Sequence, residues 1–338
     1  MKSAIFNNTS SEDVHDQISY VYRGDCLKRI ADITDVYPKR ISAKNFDAEA
    51  PFLEDIEVIF STWGMPQLSA EQVAKMPNLK VVFYAAGSIK GFAPPFLERG
   101  IIVCSAAPAN AVPVAEFCTA QILLSCKRYF SNTRSIRTKS WSNANKEAGK
   151  GVYGETIALI GAGVIARNVI TFLSAFNLRI IVVDPYLERD PNEAKALGIA
   201  KVVSMEEAFS EAYVVSNHLP NLDSLRKVIT KSHFSSMREG ATFINTGRGA
   251  QVDEAGLVEI FTQREDLTAL LDVSDPEPPL EGSPITQLPN IQLSSHIAGS
   301  LNDEVQRMAD NMLEECMRYQ KGEALQYAVG LAKLENMA

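Results

Sequence analysis

The sequence predicts a two-lobed α/β protein in which each lobe is built on a parallel β-sheet. At 338 residues the chain is longer than one average domain, and about two domains are expected. Short apolar runs alternate with helix-length segments, and several of these runs are apolar on both faces, as strands of a sheet covered by helices must be. Hydrophobic residues make up 46% and charged residues 22% of the chain, which is ordinary for a globular protein.

The clearest strand–turn–helix–strand unit lies near the middle of the chain. Residues 157–160 predict a strand, Gly161-Ala162-Gly163-Val164-Ile165-Ala166 a turn that opens a helix, and residues 179–183 a second strand. This order matches the dinucleotide-binding fingerprint, which allows alanine at the third glycine position. Gly161 permits the tight turn, and Gly163 lets a pyrophosphate approach the backbone at the helix N-terminus. A Rossmann-type doubly wound parallel sheet is therefore expected.

The cofactor that this unit predicts is NAD rather than NADP. Asp184 ends the second strand, where a carboxylate would hydrogen-bond both ribose hydroxyls and repel a 2′-phosphate. Asp184-Pro185 could also be an ordinary turn opener. Val164 and Ile165, at the start of the helix, are expected to contact the cofactor together with the two glycines.

Charge and cysteine usage exclude several other classes of protein. The net charge is −8 without long blocks of like charge, which argues against nucleic acid and membrane partners. The N-terminal residues lack the apolar stretch of a signal peptide, and no apolar run approaches the ~20 residues that span a bilayer. Five cysteines without a C-x-x-C pair, and four histidines without ligand spacing, predict a reduced, cytoplasmic protein without a dedicated metal site.

The remaining strands are predicted from short apolar runs bounded by turn residues. In the first third they are residues 3–6, 57–60, 79–84 and 101–104, and after the fingerprint they are 202–203, 212–216, 241–245, 269–273 and 290–294. A helix is expected over residues 110–130 with Pro113 in its first turn, followed by a connector over 131–154, and a last amphipathic helix over 302–320. Two sheets imply two lobes with a ligand cleft between them.

Polar residues follow the later strands, where ligands of parallel sheets bind. They are His218 and Pro220 after 212–216, Thr246, Gly247 and Arg248 after 241–245, Asp272 and Glu277 at and beyond the end of 269–273, and His296 and Gly299 after 290–294. One arginine, one glutamate and one histidine therefore gather at one edge of one sheet.

These motifs, in this order, resemble the D-isomer-specific 2-hydroxyacid dehydrogenases. The matching segments are the glycine turn, His218-Leu219-Pro220, Asn245-Thr246-Gly247-Arg248-Gly249, Leu271-Asp272-Val273 with Glu277-Pro278, and His296-Ile297-Ala298-Gly299. The resemblance implies a smaller, flavodoxin-like substrate domain over 1–110 and 303–338 and an NAD-binding domain over 111–302. It also implies inter-domain helices near 111–130 and 303–320, and a homodimer.

The resemblance implies a role for each clustered residue in reducing a 2-oxo acid. Arg248 would pair with the substrate carboxylate and polarise its carbonyl. His296 would exchange the proton, and Glu277 would hold its imidazole and favour the charged form. Asp272 would accept from the nicotinamide carboxamide, and His218 would line the cofactor cleft. Taken singly, these residues could be a loop histidine, a solvated glutamate or a phosphate-binding arginine.

One loop of the first third departs from the family pattern. The usual polar pair is missing from Ala85-Ala86-Gly87-Ser88-Ile89-Lys90-Gly91-Phe92. The amides of Ala86, Gly87 and Ser88 could still cradle a carboxylate, and Lys90 could reach the distal end of a substrate. Trp63 could wall the substrate pocket or cover the core. The identity of the acid therefore stays open.

Two further alternatives concern function and histidine placement. A non-catalytic, NAD-sensing regulator could share this fold, although it would not need the arginine, glutamate and histidine together. A formate oxidiser is expected to carry an amide at position 277, and a phosphoglycerate enzyme often an additional regulatory domain, for which this sequence is too short. His15 and His233 are expected at the surface.

Overall fold

The computed structural model describes residues 1–10, 12–137, 141 and 151–334. The chain divides into two compact units, one formed by residues 1–110 with 300–338 and the other by 111–299. Each unit is organised around its own β-sheet.

The strands of the described residues are numbered in chain order. They are β1 Lys2–Phe6, β2 Asp35–Val36, β3 Val58–Ser61, β4 Val81–Tyr84, β5 Ile102–Ser105, β6 Glu155–Ile160, β7 Leu178–Val183, β8 Lys201–Val202, β9 Val214–Asn217, β10 Thr242–Asn245, β11 Thr268–Leu271, β12 Ile291–Leu293 and β13 Ala328–Val329.

The α-helices are numbered in the same way. They are α1 Gln17–Val21, α2 Cys26–Ile33, α3 Phe46–Glu49, α4 Ala70–Ala74, α5 Pro94–Leu97, α6 Ala107–Cys126, α7 Tyr129–Ser135, α8 Val164–Leu173, α9 Pro185–Arg189, α10 Pro191–Ala196, α11 Met205–Glu211, α12 Lys231–Ser236, α13 Glu254–Gln263, α14 Gln306–Gln320 and α15 Leu331–Leu334. Short 3₁₀ turns occur at Ala50–Phe52, Asp223–Leu225, Gly249–Gln251, Pro284–Thr286 and Asn302–Val305.

The sheet of the first unit has the strand order β2-β1-β3-β4-β5, all parallel, with β13 antiparallel beside β5. This is the flavodoxin-like order, so the predicted architecture is confirmed. The aromatic rings of Phe60 and Phe83 pack against each other in the core, with centroids 5.5 Å apart. The edge strands β2 and β13 have two residues each, too few to show a hydrophobic period, and the sequence did not predict them.

The second unit contains a parallel sheet in the order β8-β7-β6-β9-β10-β11-β12. Counted from β6, this is the Rossmann order extended by one strand, as predicted. Every residue of β6, β9, β10 and β11 is buried, because helices cover both faces of the sheet. The strand order reverses between β6 and β9, and loops at that switch point bind ligands in such folds.

The predicted helix over 110–130 has different bounds in the structure. Helix α6 begins three residues earlier, so Pro113 lies inside it rather than in its first turn. Proline has no N–H, and the usual hydrogen bond to the carbonyl of Ala109 is therefore lost. The predicted connector from Ser131 is wrong at its start, where Ser131 belongs to α7. Residues 138–140 and 142–150 of that connector lie outside the described residues.

Helix α6 is also the one described helix with the length and composition to cross a membrane, with a mean hydropathy of 1.2. Half of the 18-residue stretch with this hydropathy is buried inside the protein, and the core helix of a globular protein can have the same length and composition.

Candidate active site

The switch point of the second sheet brings the glycine turn against the loop that follows β9. Gly161 has a φ of +90°, and a Cβ there would lie 3.0 Å from the carbonyl oxygen of His218. The backbone N–H of His218 donates to the carbonyl of Ile160 at 2.8 Å. Position 161 therefore needs glycine both for its backbone conformation and for this close approach.

The start of α8 fits an anionic ligand such as a pyrophosphate. A Cβ at Gly163 would meet no atom of the described residues within 4 Å, so the backbone is open to an approaching group. The N–H groups of Val164 and Ile165 donate no hydrogen bond to the described residues, as is usual for a first helical turn. Free donors and the positive end of the helix dipole favour negative charge at this position.

Asp184 links the glycine turn to the end of β7. Its Oδ2 accepts from the backbone N–H of Ala162 at 2.9 Å. Its Oδ1 accepts from the N–H groups of Tyr186 and Leu187, at 2.9 and 3.0 Å, and so caps α9. Asp184 therefore does open the turn after β7, which was one of the two roles expected from the sequence. A contact with a ribose would be a second role.

His218 is buried, only 8% exposed, beside the glycine turn. Its Nε2 is 2.9 Å from the hydroxyl of Ser216, while Nδ1 has no partner among the described residues. Burial lowers the pKa of His218 to about 4, because desolvation penalises the charged imidazolium. His218 is therefore neutral at neutral pH.

The loop after β10 carries Arg248, which is half-buried. One guanidinium nitrogen donates to the carbonyl of Gly247 at 2.7 Å. Burial lowers the pKa of Arg248, and the nearby Glu277 carboxylate partly opposes this shift. A Cβ at Gly249 would lie 2.1 Å from the carbonyl carbon of Ser274, so only glycine lets this loop touch the loop after β11.

His296 and Glu277 meet at the carboxyl edge of the same sheet. The imidazole Nδ1 and the carboxylate Oε1 are 2.6 Å apart, and the two side chains are 47% and 42% exposed. His296 adopts a left-handed backbone conformation, with a φ of 58°. Such a φ is uncommon for a residue with a side chain.

Asp272 holds the loop on which His296 sits. Its Oδ1 accepts from the hydroxyl of Ser294 at 2.7 Å and from the N–H of Ile297 at 2.8 Å, and its Oδ2 accepts from the N–H of Ala298 at 2.9 Å. Asp272 is 2% exposed. From the sequence, Asp272 was expected to bind the cofactor alone, and this second role was missed because its partners lie at a different strand end.

Three buried amides behind Arg248 received no role from the sequence, although Asn245 belongs to one of the matching segments. Asn217, Asn245 and Gln251 are each at most 1% exposed, and the Asn217 amide donates to the side-chain oxygens of the other two. Their only signal in the sequence is an amide at the end of two neighbouring strands.

In the first unit, the loop after β4 presents free backbone donors. The hydroxyl of Ser105 donates to the carbonyls of Ala86 and Gly87, at 3.1 and 2.6 Å, and so fixes their orientation. The N–H groups of Ala86, Gly87 and Ser88 donate to none of the described residues. Such a row of unpaired amides can bind an anion.

Trp63 and Lys90 are both half-buried in this unit. Trp63 packs against the buried residues on both faces of the sheet, which favours its role as a cover for the core. Its carbonyl accepts from the amide of Asn7 at 2.7 Å.

The expected surface position of His233 is wrong. His233 is 8% exposed, and its ring centroid lies 5.1 Å from that of Phe209. Its Nδ1 accepts from the N–H of Thr230 at 2.9 Å and so helps to cap α12. A short amphipathic helix can bury a histidine in this way without a signal in the local sequence. His15 is exposed, as predicted.

Comparison with known proteins identifies the family. Residues 119–298 match the D-isomer specific 2-hydroxyacid dehydrogenase, NAD binding domain. A D-3-phosphoglycerate dehydrogenase from Archaeoglobus fulgidus is 27% identical over 296 residues, which cover 87% of this chain and 55% of that protein. The chain belongs to the D-isomer-specific 2-hydroxyacid dehydrogenase family.

Solved structures share the fold. The TT0316 protein from Thermus thermophilus superposes with a TM-score of 0.70 at 25% identity, covering 97% of this chain and 100% of that one. The apo D-mandelate dehydrogenase of Rhodotorula graminis has a TM-score of 0.79 at 17% identity, covers 97% of both chains and supports the fold alone. The chain spans about half the length of the first curated relatives that it matches.

Proposed function

We propose that the protein is an NAD-dependent oxidoreductase that interconverts a 2-oxo acid and a D-2-hydroxy acid. The observation that carries this proposal is the 2.6 Å contact between His296 and Glu277, with Arg248 on a neighbouring loop of the same sheet edge. A non-catalytic NAD sensor would need a cofactor site but no such acid–base pair. The enzyme is therefore the better explanation of these three residues.

The tautomer of His296 follows from its partner. The Glu277 carboxylate can only accept, so it holds a proton on Nδ1 and leaves Nε2 to face the substrate. In the imidazolium form, Nε2–H donates its proton to the carbonyl oxygen of the 2-oxo acid. In the opposite direction, neutral Nε2 removes the proton of the hydroxyl group.

Arg248 acts on the other oxygen atoms of the substrate. Its planar guanidinium pairs with the carboxylate and draws electron density from the carbonyl. NAD(H), held by the cofactor residues proposed below, would supply the hydride or accept it. Glu277 keeps the imidazole in one orientation throughout, so that the proton is delivered at one position.

The cofactor site is proposed to surround the glycine turn and the strand ends beside it. Its residues are Gly161, Gly163, Val164, Ile165, Asp184, His218, Pro220, Thr246, Gly247, Asp272 and Gly299. The open backbone at Gly163 and the free N–H groups of α8 support phosphate binding there. Asp184 would repel a 2′-phosphate, so NADH is proposed to be preferred over NADPH.

The substrate residues of the first unit are proposed from its free amides. The N–H groups of Ala86, Gly87 and Ser88 would bind the substrate carboxylate, which makes this unit the substrate domain. Lys90 follows them by two residues and would favour an acid with a second anionic or polyhydroxylated end. Trp63, which is half-buried, would wall the substrate pocket.

A cytoplasmic homodimer without nucleic acid or membrane partners is proposed as the working state. Support for a two-fold partner comes from exposed apolar side chains on α6 and α7 and just beyond them, namely Leu124, Tyr129 and Ile136, which are 39%, 51% and 37% exposed. Sedimentation at micromolar concentration tests this, since a 37.1 kDa species would contradict the dimer.

The experiment that tests the function is NADH oxidation with a panel of 2-oxo acids. On the best substrate, His296→Ala is expected to lose roughly 10²–10⁴ in turnover with little change in NADH binding. His15→Ala is the matched control, because His15 is exposed on the first unit. NADH binding without turnover of any acid, or near-wild-type turnover in His296→Ala, would favour the sensor instead.

A further inference from the structure

We infer that Gln251 is a positioning residue for Arg248, acting through a fully hydrogen-bonded cluster of three buried amides. The inference rests on the proposed function, because it assigns Arg248 to the substrate carboxylate. The cluster consists of Asn217, Asn245 and Gln251, which are 0%, 1% and 1% exposed.

Both the oxygen and the nitrogen of the Gln251 side-chain amide are hydrogen-bonded. Its Oε1 accepts from the Asn217 amide at 2.7 Å and from the backbone N–H of Arg248 at 3.1 Å. Its Nε2 donates to the carbonyls of Leu219 and Pro220, at 3.1 and 2.7 Å. One side chain therefore ties the loop after β9 to the loop that carries Arg248.

Asn217 and Asn245 complete the cluster. The Asn217 amide donates to Oδ1 of Asn245 at 2.9 Å, and that oxygen also accepts from the N–H of Gly247 at 3.0 Å. The Asn245 amide donates to the carbonyl of Arg248 at 3.2 Å. Both the N–H and the C=O of Arg248 are thus held by buried side chains.

Glycine at position 247 makes this arrangement possible. A Cβ there would lie 2.8 Å from Oε1 of Gln251 and 2.9 Å from the amide nitrogen of Asn217. A buried amide is costly unless it is hydrogen-bonded, and here every bond joins the cluster to loop backbone or to another of its amides. The result is a rigid base for Arg248, whose guanidinium donates to the carbonyl of Gly247 at 2.7 Å.

The test compares Gln251→Met with a matched control, Asn290→Leu. Methionine keeps the length of the side chain and removes all four hydrogen bonds. Asn290 is an equally buried amide of the same unit, 1% exposed, and its hydrogen bonds to the carbonyls of Phe261 and Arg264 lie away from Arg248. Gln251→Met is expected to raise KM and lower kcat/KM for the best 2-oxo acid by about 10- to 100-fold, since small misplacements cost this much. Asn290→Leu should leave both values near those of the wild type.

A double-substitution cycle with Arg248→Lys separates positioning from stability. Lysine keeps the charge but not the planar fork, so exact placement matters less. If Gln251 acts through Arg248, Gln251→Met should cost several-fold less in the Arg248→Lys background than in the wild type. Equal losses in both backgrounds would show a merely structural role and overturn the inference.

The other possible outcomes distinguish a failure of this inference from a failure of the proposed function. Unchanged kinetics in Gln251→Met would overturn the inference and leave the proposed function standing. If no 2-oxo acid is reduced by the wild type, the proposed function fails and this inference fails with it. If Gln251→Met does not fold, Gln251→Glu enters the same cycle, because glutamate keeps the length and the acceptor for the Arg248 N–H.

Discussion

Replacing Gly249 with alanine inserts a methyl group where two loops of the proposed active site touch. The new Cβ would lie 2.1 Å from the carbonyl carbon of Ser274, 2.2 Å from its oxygen and 2.6 Å from the nitrogen of Asp275. All three atoms belong to the backbone, so no side-chain rotation can relieve the clash. The φ of Gly249 is not in the left-handed region, and space is therefore the only obstacle.

The magnitude follows from these distances. An ordinary contact begins at 3.4 Å, so the loops must separate by about 1.3 Å (3.4 − 2.1). Overpacking of this kind costs about 3 kcal/mol, the upper end of its usual range, because the backbone must move. For a unit of this size, that corresponds to a fall in Tm of roughly 6–12 °C. Since the loops carry Arg248 and Glu277, kcat/KM should fall by about 100-fold.

Differential scanning calorimetry and steady-state kinetics would measure both effects, with Gly163→Ala as the paired substitution. In the part of the chain that the structure describes, a Cβ at Gly163 meets no atom within 4 Å, so the Tm of Gly163→Ala should stay within roughly 2 °C of the wild type. Its NADH dissociation constant should rise, because the methyl group occupies the proposed phosphate approach. A Gly249→Ala variant with wild-type Tm and kcat/KM would refute the reasoning from backbone contact.

Four further outcomes are expected. Glu277→Gln should lower kcat less than His296→Ala, because the amide oxygen can still accept from Nδ1 of His296 but carries no charge; a loss as large as that of His296→Ala would contradict this role. Wild type should prefer NADH in kcat/KM, and Asp184→Ala should narrow that preference; equal values for both cofactors in the wild type would remove the argument. As the pH falls from 6.5 to about 4, protonation of His218 should lower the free energy of unfolding by up to about 3 kcal/mol. Burial lowers the pKa of His218 in the folded protein, so the unfolded chain binds the proton first. Urea unfolding of His218→Gln should show a smaller loss over the same pH range. Lys90→Ala should raise KM for a dianionic acid at similar kcat, and identical KM values would contradict a substrate role for Lys90.

Much of the fold followed from the sequence because its signals are local. The glycine turn at 161–166 specifies its own backbone conformation, and buried parallel strands appear as apolar runs. The order of motifs placed Arg248, Glu277 and His296 at one sheet edge, and His296 and Glu277 are in contact. The edge strands β2 and β13 were missed because two residues carry no period.

What the sequence alone determined is the fold class, the family resemblance and the residue types available for hydride and proton transfer, since each depends on neighbours within one strand, turn or helix. The tertiary structure decided which atoms hold those residues. The amide of Asn217 meets partners 28 and 34 residues away, and Asp272 meets the loop of His296 across 22 to 26 residues. Such partners depend on strand order and register, because a hydrogen bond requires atoms to lie within about 3 Å, and no local pattern encodes that distance.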